Sequence, residues 1–280
     1  MTQPSELLFL ESMLYVLSAP TGIPIYDFNF RAFFPCRTPW QRKGEVAAVA
    51  RIGAFDDYEA TFSSLLSEGI RLIHSPEEHV RSSQLSGWYS LIEEMTPRSH
   101  WFSEPPSAKQ IEQLFHWPVF MKGIRQTSRH QRSLSIIRSR EQFELAAKAY
   151  KSDPILRWQP VVVREYATLR SVDESDSSHI PASFEFRTFW WRDQYVGAGR
   201  YWWESRPYDW NADERTEGLK LAQEAARRVN VPFLVVDLAM TAAGRWIVIE
   251  CNDAQESGYA GVSPIGLWQN ILAIERSHAP

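Results

Sequence analysis

Cysteine is scarce in this chain: Cys36 and Cys251 are the only two in 280 residues. A pair so far apart supports neither a disulfide framework nor a thiolate zinc site, and reduced thiols are the expectation. Apolar runs are short as well, and none approaches the ~18 residues of a membrane span. The first residues carry Glu6 and Glu11 and no basic leader, which argues against a secretory signal. A cytoplasmic protein without a membrane partner is expected. Positive charge is not in excess either. A net charge of -4 and a pI near 6.0 offer no general attraction for nucleic acid, and none is expected as a partner. Glycine signatures are missing too. The chain has no Gly-x-x-x-x-Gly-Lys-[Ser/Thr], no Gly-x-Gly-x-x-Gly and no Gly-x-Ser-x-Gly. A P-loop nucleotidase, the usual dinucleotide fold and a hydrolase nucleophile elbow therefore lack support. The seven His are scattered without metal-ligand spacing.

What is present suits an ordinary globular protein: 44% hydrophobic and 23% charged residues. The length allows two domains, or one domain with sublobes. Trp is abundant, with twelve in all. Trp190-Trp191 and Trp202-Trp203 are read as strand packing before a ring-lined binding surface.

The first forty residues are hard to read. Leu7 to Leu17 is helical or extended, and Pro20, Pro24, Pro35 and Pro39 break any long element. From Glu45 a βαβ-like unit is predicted: strand Val46 to Ile52, helix Asp57 to Glu68 closed by Gly69, strand Ile70 to Ile73. A helical stretch from about Glu77 to Met95 and a Pro-rich linker from Thr96 to Ser107 follow. Beyond it the pattern predicts a helix to Phe115 and strand Pro118 to Gly123. A basic loop from Ile124 to Arg132 leads to strand Leu134 to Ile137, helix Arg140 to Tyr150 and strand Pro160 to Tyr166. Ser171 to Ser178 reads as a solvated loop. A hairpin of Phe184 to Phe189 with Gln194 to Trp203, and a helix from Ala212 to Arg228, precede a last hairpin near the C-terminal end. The mixture is α+β or α/β.

That last hairpin is the most informative stretch. Phe233-Leu-Val-Val-Asp237 and Trp246-Ile-Val-Ile-Glu250-Cys-Asn252-Asp253 are apolar strands with acidic residues set in them. Period-2 alternation points Glu250 and Asn252 to one face. Asp237, Glu250 and Asn252 are candidate ligands of a hard cation such as Mg2+. Unpaired acids in buried-strand sequence are costly without a cation or base, which favours this over a solvated hairpin. Gln255-Glu256-Ser257-Gly258 is a candidate segment for shaping the pocket. Lys122 ends an apolar strand, and Gly123 lets the backbone turn away. The loop behind it holds Arg125, Thr127, Ser128, Arg129, His130 and Arg132, groups suited to phosphate oxygens or to a solvated surface. Arg164 and Glu165 are adjacent on a strand, so at most one faces the core or a ligand. Glu185 and Arg187 share a face, as an ion pair or with Glu185 orienting Arg187 toward a phosphate. Arg200 to Arg206, around Trp202 and Trp203, is a packed hairpin or a carboxylate site.

Taken in order, Val119-Phe-Met-Lys122-Gly123, Val161-Val-Val-Arg-Glu-Tyr166, Glu185-Phe-Arg187, Asp237 and Glu250-Cys-Asn252-Asp253 resemble the ATP-grasp superfamily, and within it the R-two-K clade. The likeness spans about Thr96 to Leu272. It implies an ATP-grasp fold of two α+β lobes, the smaller over about 96–166 and the larger over about 167–280. A small α/β domain of about 1–95 would precede them. By the same match Lys122 would contact the phosphates, and Val163, Arg164, Glu165 and Tyr166 would form the hinge near adenine. Arg187 would stabilise the transferred phosphoryl group, and Asp237, Glu250 and Asn252 would hold Mg2+. The activity implied is ATP-dependent ligation of a small-molecule or peptide carboxylate to an amine or thiol through an acyl phosphate. The alternatives are a non-catalytic, regulatory ATP-binding module, or a kinase using the same nucleotide site. The sequence departs from many members in lacking a Gly-rich run after Lys122. Arg98 and Lys109 are the only candidates for a second phosphate-binding cation in the small lobe.

Overall fold

Leu7 to Leu17 folds as a hairpin in the computed structural model, which describes residues 5–38, 44–127, 130–173 and 178–278. Pro39, the loop positions Ser128 and Arg129, and residues 174–177 lie outside those residues. Strands Glu6–Leu10 and Leu14–Ser18 pair antiparallel around Glu11 and Ser12, whose φ values of 45° and 59° make the turn. Cys36–Arg37 adds at one side, while Val46–Arg51 and Ile70–Leu72 continue the sheet in parallel on the other. The expected βαβ unit is present: helix Tyr58–Ser67 is capped by Asp57, and Gly69 follows it at φ +78°.

The expected long helix from Glu77 does not form. Pro76–Ser83 begins with a capping box between Ser75 and Glu78, then stops, and Leu85–Trp88 follows before two 3₁₀ turns. At Gly87 an added Cβ would lie 2.5 Å from the Val80 carbonyl oxygen, so the chain doubles back where only glycine fits. Leu85, Trp88 and Ile92 pack into the core beneath the C-terminal sheet. Nor is Thr96 to Ser107 a free linker. Ser99–Phe102 is a strand, paired antiparallel with Val161–Glu165.

The second sheet runs Ser99–Phe102, Val161–Glu165, Val119–Gly123, Ile136–Ile137, antiparallel throughout. Alternation sorts its side chains. Val119, Met121, Val161 and Val163 face helices Ala108–Leu114 and Arg140–Tyr150 in one apolar core. Phe120, Lys122 and Arg164 therefore face the other way. The predicted strand from Leu134 is mostly a short helix, Arg132–Ser135, with only Ile136–Ile137 extended.

The third sheet runs Gln194–Arg200, Glu185–Trp191, Phe233–Met240, Trp246–Asp253, also antiparallel. Arg192 and Asp193 turn the first hairpin with φ of 47° and 62°, the two positive values of a type I′ turn. Helix Ala212–Val229 covers one face. A capping box of Asn211 with Glu214 starts it, and Asn230 in the left-handed region ends it. Its buried Ala222, Ala225, Ala226 and Val229 follow helical spacing against Phe186, Val236 and Val248. The opposite face packs Phe189, Trp191, Phe233 and Val235 on the N-terminal sheet and on helix Pro264–His278. No helix among the described residues is long and apolar enough to cross a membrane.

Candidate functional site in the cleft between the sheets

Register builds the centre of the site. Arg187 lies opposite Asp237, and Asp237 opposite Glu250, on three neighbouring strands. Direct cross-strand partners share a face, so the three side chains form one row. Asn252 stands two residues beyond Glu250 on that face, opposite Val235. A bulge between Asp237 and Leu238 leaves Ile249 without a strand partner. Its carbonyl accepts instead from the Arg164 guanidinium at 2.7 Å.

Each carboxylate of the row has its own cation. Arg187 grips Asp237 in a fork, Nε to Oδ1 at 2.9 Å and a terminal nitrogen to Oδ2 at 2.7 Å. Its other terminal nitrogen donates to the Gly258 carbonyl at 2.9 Å. Lys122, from the facing sheet, closes on Glu250. Burial opposes the Arg187 charge, but Asp237 outweighs it and holds its pKa above the usual range. Burial also raises the Asp237 carboxyl, against the pull of Arg187. The expected Glu185–Arg187 pair is not made. Glu185 is buried, and Ser183 Oγ and Trp202 Nε1 donate to its Oε2, each at 3.1 Å. Burial first, and the nearby Asp237 second, push the Glu185 carboxyl up to about 8.

Lys122, Glu185, Arg187 and Glu250 line a cleft of about 1190 Å³ between the second and third sheets and the Ile25–Tyr26 and Ala54–Asp56 segments. Lys122, Arg164, Glu165, Tyr166, Arg187, Glu250 and Asn252 all line it. Two expected residues do not. Val163 is fully buried in the small-lobe core, and Asp237, 1% exposed, sits behind Arg187. Arg164 reaches the cleft wall with its guanidinium already committed to Ser99 Oγ, Thr96 Oγ1 and the Ile249 carbonyl. It is a brace between two sheets, and burial lowers its pKa to about 10. Neither Arg98 nor Lys109 lines the cleft; Arg98 is exposed beside Glu165 and over the Phe115 ring. Arg200 and Arg206 are also outside it, whereas Tyr201, Trp202 and Trp203 between them line it.

Three further residues, each in a segment the sequence singled out, find partners that the sequence did not show. Arg125 crosses from the second sheet to Glu256 at 2.6 Å, and the other oxygen of Glu256 accepts from the Phe55 amide at 3.0 Å. His130 lies 5.0 Å from the Trp202 ring, its pKa lowered by burial despite Glu250. Asp253, next to Asn252, is fully buried with the Nδ1 atoms of His74 and His79 each 3.0 Å from Oδ2. Despite burial, those imidazoles hold its carboxyl well below the usual carboxylate range. They pin the end of the acidic hairpin to the N-terminal unit.

For the cation, the donor set is two carboxylates and an amide oxygen on adjacent strands. Hard oxygen donors of this kind suit Mg2+, which commonly takes one or two carboxylates and shares phosphate oxygens. Among the described residues no cluster of three or more His, Cys, Asp or Glu is arranged for a metal.

Two antiparallel sheets face each other across the cleft, with a lysine on one and an Arg–Asp–Glu row on the other. Residues 82–271 match the family model of the ATP-grasp domain, R-two-K clade family 3, and the chain belongs to that family. No curated protein matches. Among solved structures it is similar to D-alanine–D-alanine ligase from Bacillus anthracis: TM-score 0.57 at 12% identity, covering 83% of this chain and 82% of that one. It is also similar to the ATP-grasp ligase PsnB complexed with precursor peptide PsnA2 and AMPPNP: TM-score 0.51, 17% identity, covering 78% and 67%. A third is a RimK domain protein ATP-grasp from Sphaerobacter thermophilus: TM-score 0.50, 14% identity, covering 74% and 71%. At these identities the likeness is one of fold.

Proposed function

We propose that the protein is an ATP-dependent ligase that activates a carboxylate as an acyl phosphate and joins it to an amine or thiol. The observation that carries this is the in-register row Arg187–Asp237–Glu250, met from the opposite sheet by Lys122. Family membership supports nucleotide binding, and the ligases among the similar structures support the reaction type. PsnB was solved with a precursor peptide, so a peptide acceptor falls within the proposal alongside a small molecule.

In this scheme the phosphates enter between the sheets and draw Lys122 away from Glu250. Glu250 and Asn252, both lining the cleft, would hold Mg2+ together with Asp237, and Arg187 would face the transferred phosphoryl group. Bound there, Mg2+ would neutralise phosphate charge and favour its transfer. Glu165, Tyr166 and the following residues to Leu169 line the cleft where Val161–Glu165 ends, and supply the adenine hinge. Val163 contributes from behind, by packing. A cytoplasmic setting is part of the same proposal.

Glu250→Gln tests it. The expected result is loss of Mg2+-dependent ATP binding and of ADP release, in a protein whose circular dichroism matches the parent. Unchanged Mg2+ dependence would remove Glu250 from the site.

A further inference from the structure

Arg51 ends the strand Val46–Arg51 and lies outside residues 82–271, the part of the chain that matches the family model. It is 5% exposed, and most of its hydrogen bonds cross to the loop that follows Asn252. One terminal nitrogen donates to the carbonyls of Ala254 at 2.7 Å, Gln255 at 3.2 Å and Ser257 at 2.8 Å. The other donates to the Tyr26 carbonyl, within the N-terminal unit itself, at 3.2 Å. The guanidinium also lies over the Tyr259 ring, 4.4 Å from its centre. Beside it, the Ala50 amide donates to Gln255 Oε1 at 3.1 Å and the Tyr259 amide to the Ile25 carbonyl at 2.8 Å.

Burying a charge is expensive, and an apolar side chain of similar size would pack against such a loop without that cost. What arginine adds is geometry: a planar fork that fixes several carbonyls at once. The loop it fixes meets the cleft at two places. The Gly258 carbonyl accepts from Arg187 at 2.9 Å, the one hydrogen bond of that guanidinium, among the described residues, besides its fork on Asp237. The Glu256 carboxylate accepts from Arg125 at 2.6 Å. Both Glu256 and Gly258 line the cavity. A displaced loop therefore redirects Arg187 on the third sheet and releases Arg125 behind the second.

We propose that Arg51 is a positioning residue of the cleft. From the N-terminal unit it sets the loop of Ala254 to Gly258 and, through the Gly258 carbonyl, the direction of the Arg187 guanidinium. This rests on the scheme above, in which Arg187 faces the transferred phosphoryl group. Arg51 does not itself line the cavity, so it acts only through the loop. Its loss should spare the binding of a nucleoside diphosphate and weaken the grip on a phosphoryl group in flight.

The test uses the full chain and aluminium fluoride, which sits beside ADP and Mg2+ as a mimic of the phosphoryl group in transfer. Mimics of this kind bind more tightly than ground-state ligands where the site is aligned for the transition state. Calorimetry measures affinity for ADP and Mg2+ with and without aluminium fluoride, and the parent is expected to gain affinity from it. Arg51→Met should hold its affinity for ADP and Mg2+ within about 3-fold of the parent's. It should lose at least ~10-fold of the gain, since a displacement of about 1 Å at a reacting group costs up to ~100-fold. Arg51→Lys keeps the charge but not the fork, and is expected to lose most of the gain as well. Leu72→Ala, a cavity in the core of the same unit, should lower the melting temperature and leave the gain intact.

A gain retained in Arg51→Lys, or lost equally in Leu72→Ala, overturns the assignment. Where Arg51→Met does not fold, Arg51→Lys carries the test. A parent that binds ADP and Mg2+ with no gain from aluminium fluoride overturns the role of Arg187 and this one with it. A parent that does not bind ADP and Mg2+ overturns the nucleotide site itself.

Discussion

Arg187 and Asp237 show how a catalytic candidate can also be a structural one. Asp237 is 1% exposed and both its oxygens rest on Arg187. Removing one partner of such a pair leaves an uncompensated buried charge, which typically costs about 3–5 kcal/mol. Arg187→Met is therefore expected to lower stability by about that amount in urea unfolding, besides slowing turnover. Adding Asp237→Asn should return most of the stability and none of the turnover. A double variant as unstable as the single one would contradict the pair. Glu185 makes a second prediction at this scale. Its pKa rises from 4.5 unfolded to about 8 folded, so the native state holds more protons between those values. Stability from this group is complete below about pH 4.5 and is lost as pH rises through 8, by at most about 1.4 kcal/mol per unit. Glu185→Gln should flatten the pH dependence of stability over that window, and equal slopes for parent and variant would refute the shift. The acids and Lys122 were legible in sequence because each interrupts or ends an apolar run. The partner of Arg187 was not. Spacing along one strand suggested Glu185, but cross-strand registry, which a single strand does not reveal, supplied Asp237.

The elements that sequence misjudged share a cause. Thr96 to Ser107 carries Pro97, Pro105 and Pro106, so it reads as linker, yet Ser99–Phe102 has an edge to pair with that lies some sixty residues further on. Glu77 to Met95 keeps helical composition, but the helix ends at Gln84, beyond which the Leu85 amide donates to the distant Ile124 carbonyl at 3.3 Å. By contrast the helix from Ala212, the hairpin closed at Arg192–Asp193 and the acidic hairpin are local, and local pattern was enough to place them. Gly123 belongs between the two classes. It turns the chain after Lys122, but its φ is not positive. Glycine is needed because Gln159 Oε1 would lie 2.3 Å from an added Cβ while accepting from the Arg125 amide at 3.0 Å. Gly123→Ala should cost about 1–3 kcal/mol through this overpacking and should displace Arg125 from Glu256. Thermal denaturation of the variant checks it, and a melting temperature equal to the parent's would contradict it.

Across the whole molecule, the second and third sheets and loops of the N-terminal unit meet at one cleft. The N-terminal unit is tied in by the Arg125–Glu256–Phe55 bridge and by the two histidines on Asp253. Two cations of the cleft are paired with its own acids, Lys122 with Glu250 and Arg187 with Asp237. Binding should then require both halves of the ligand at once: phosphate to take the cations, and metal to take the acids. The most direct measurement is thermal unfolding with ATP alone, Mg2+ alone and the two together, on the parent and on Glu250→Gln. A ligand that binds only the native state stabilises it by about 2.7 kcal/mol at a hundredfold excess over Kd. A shift of that order is expected with ATP and Mg2+ together, with much smaller shifts for either alone and loss of the joint effect in Glu250→Gln. The same melting temperature in all conditions, at millimolar nucleotide, would contradict the nucleotide site.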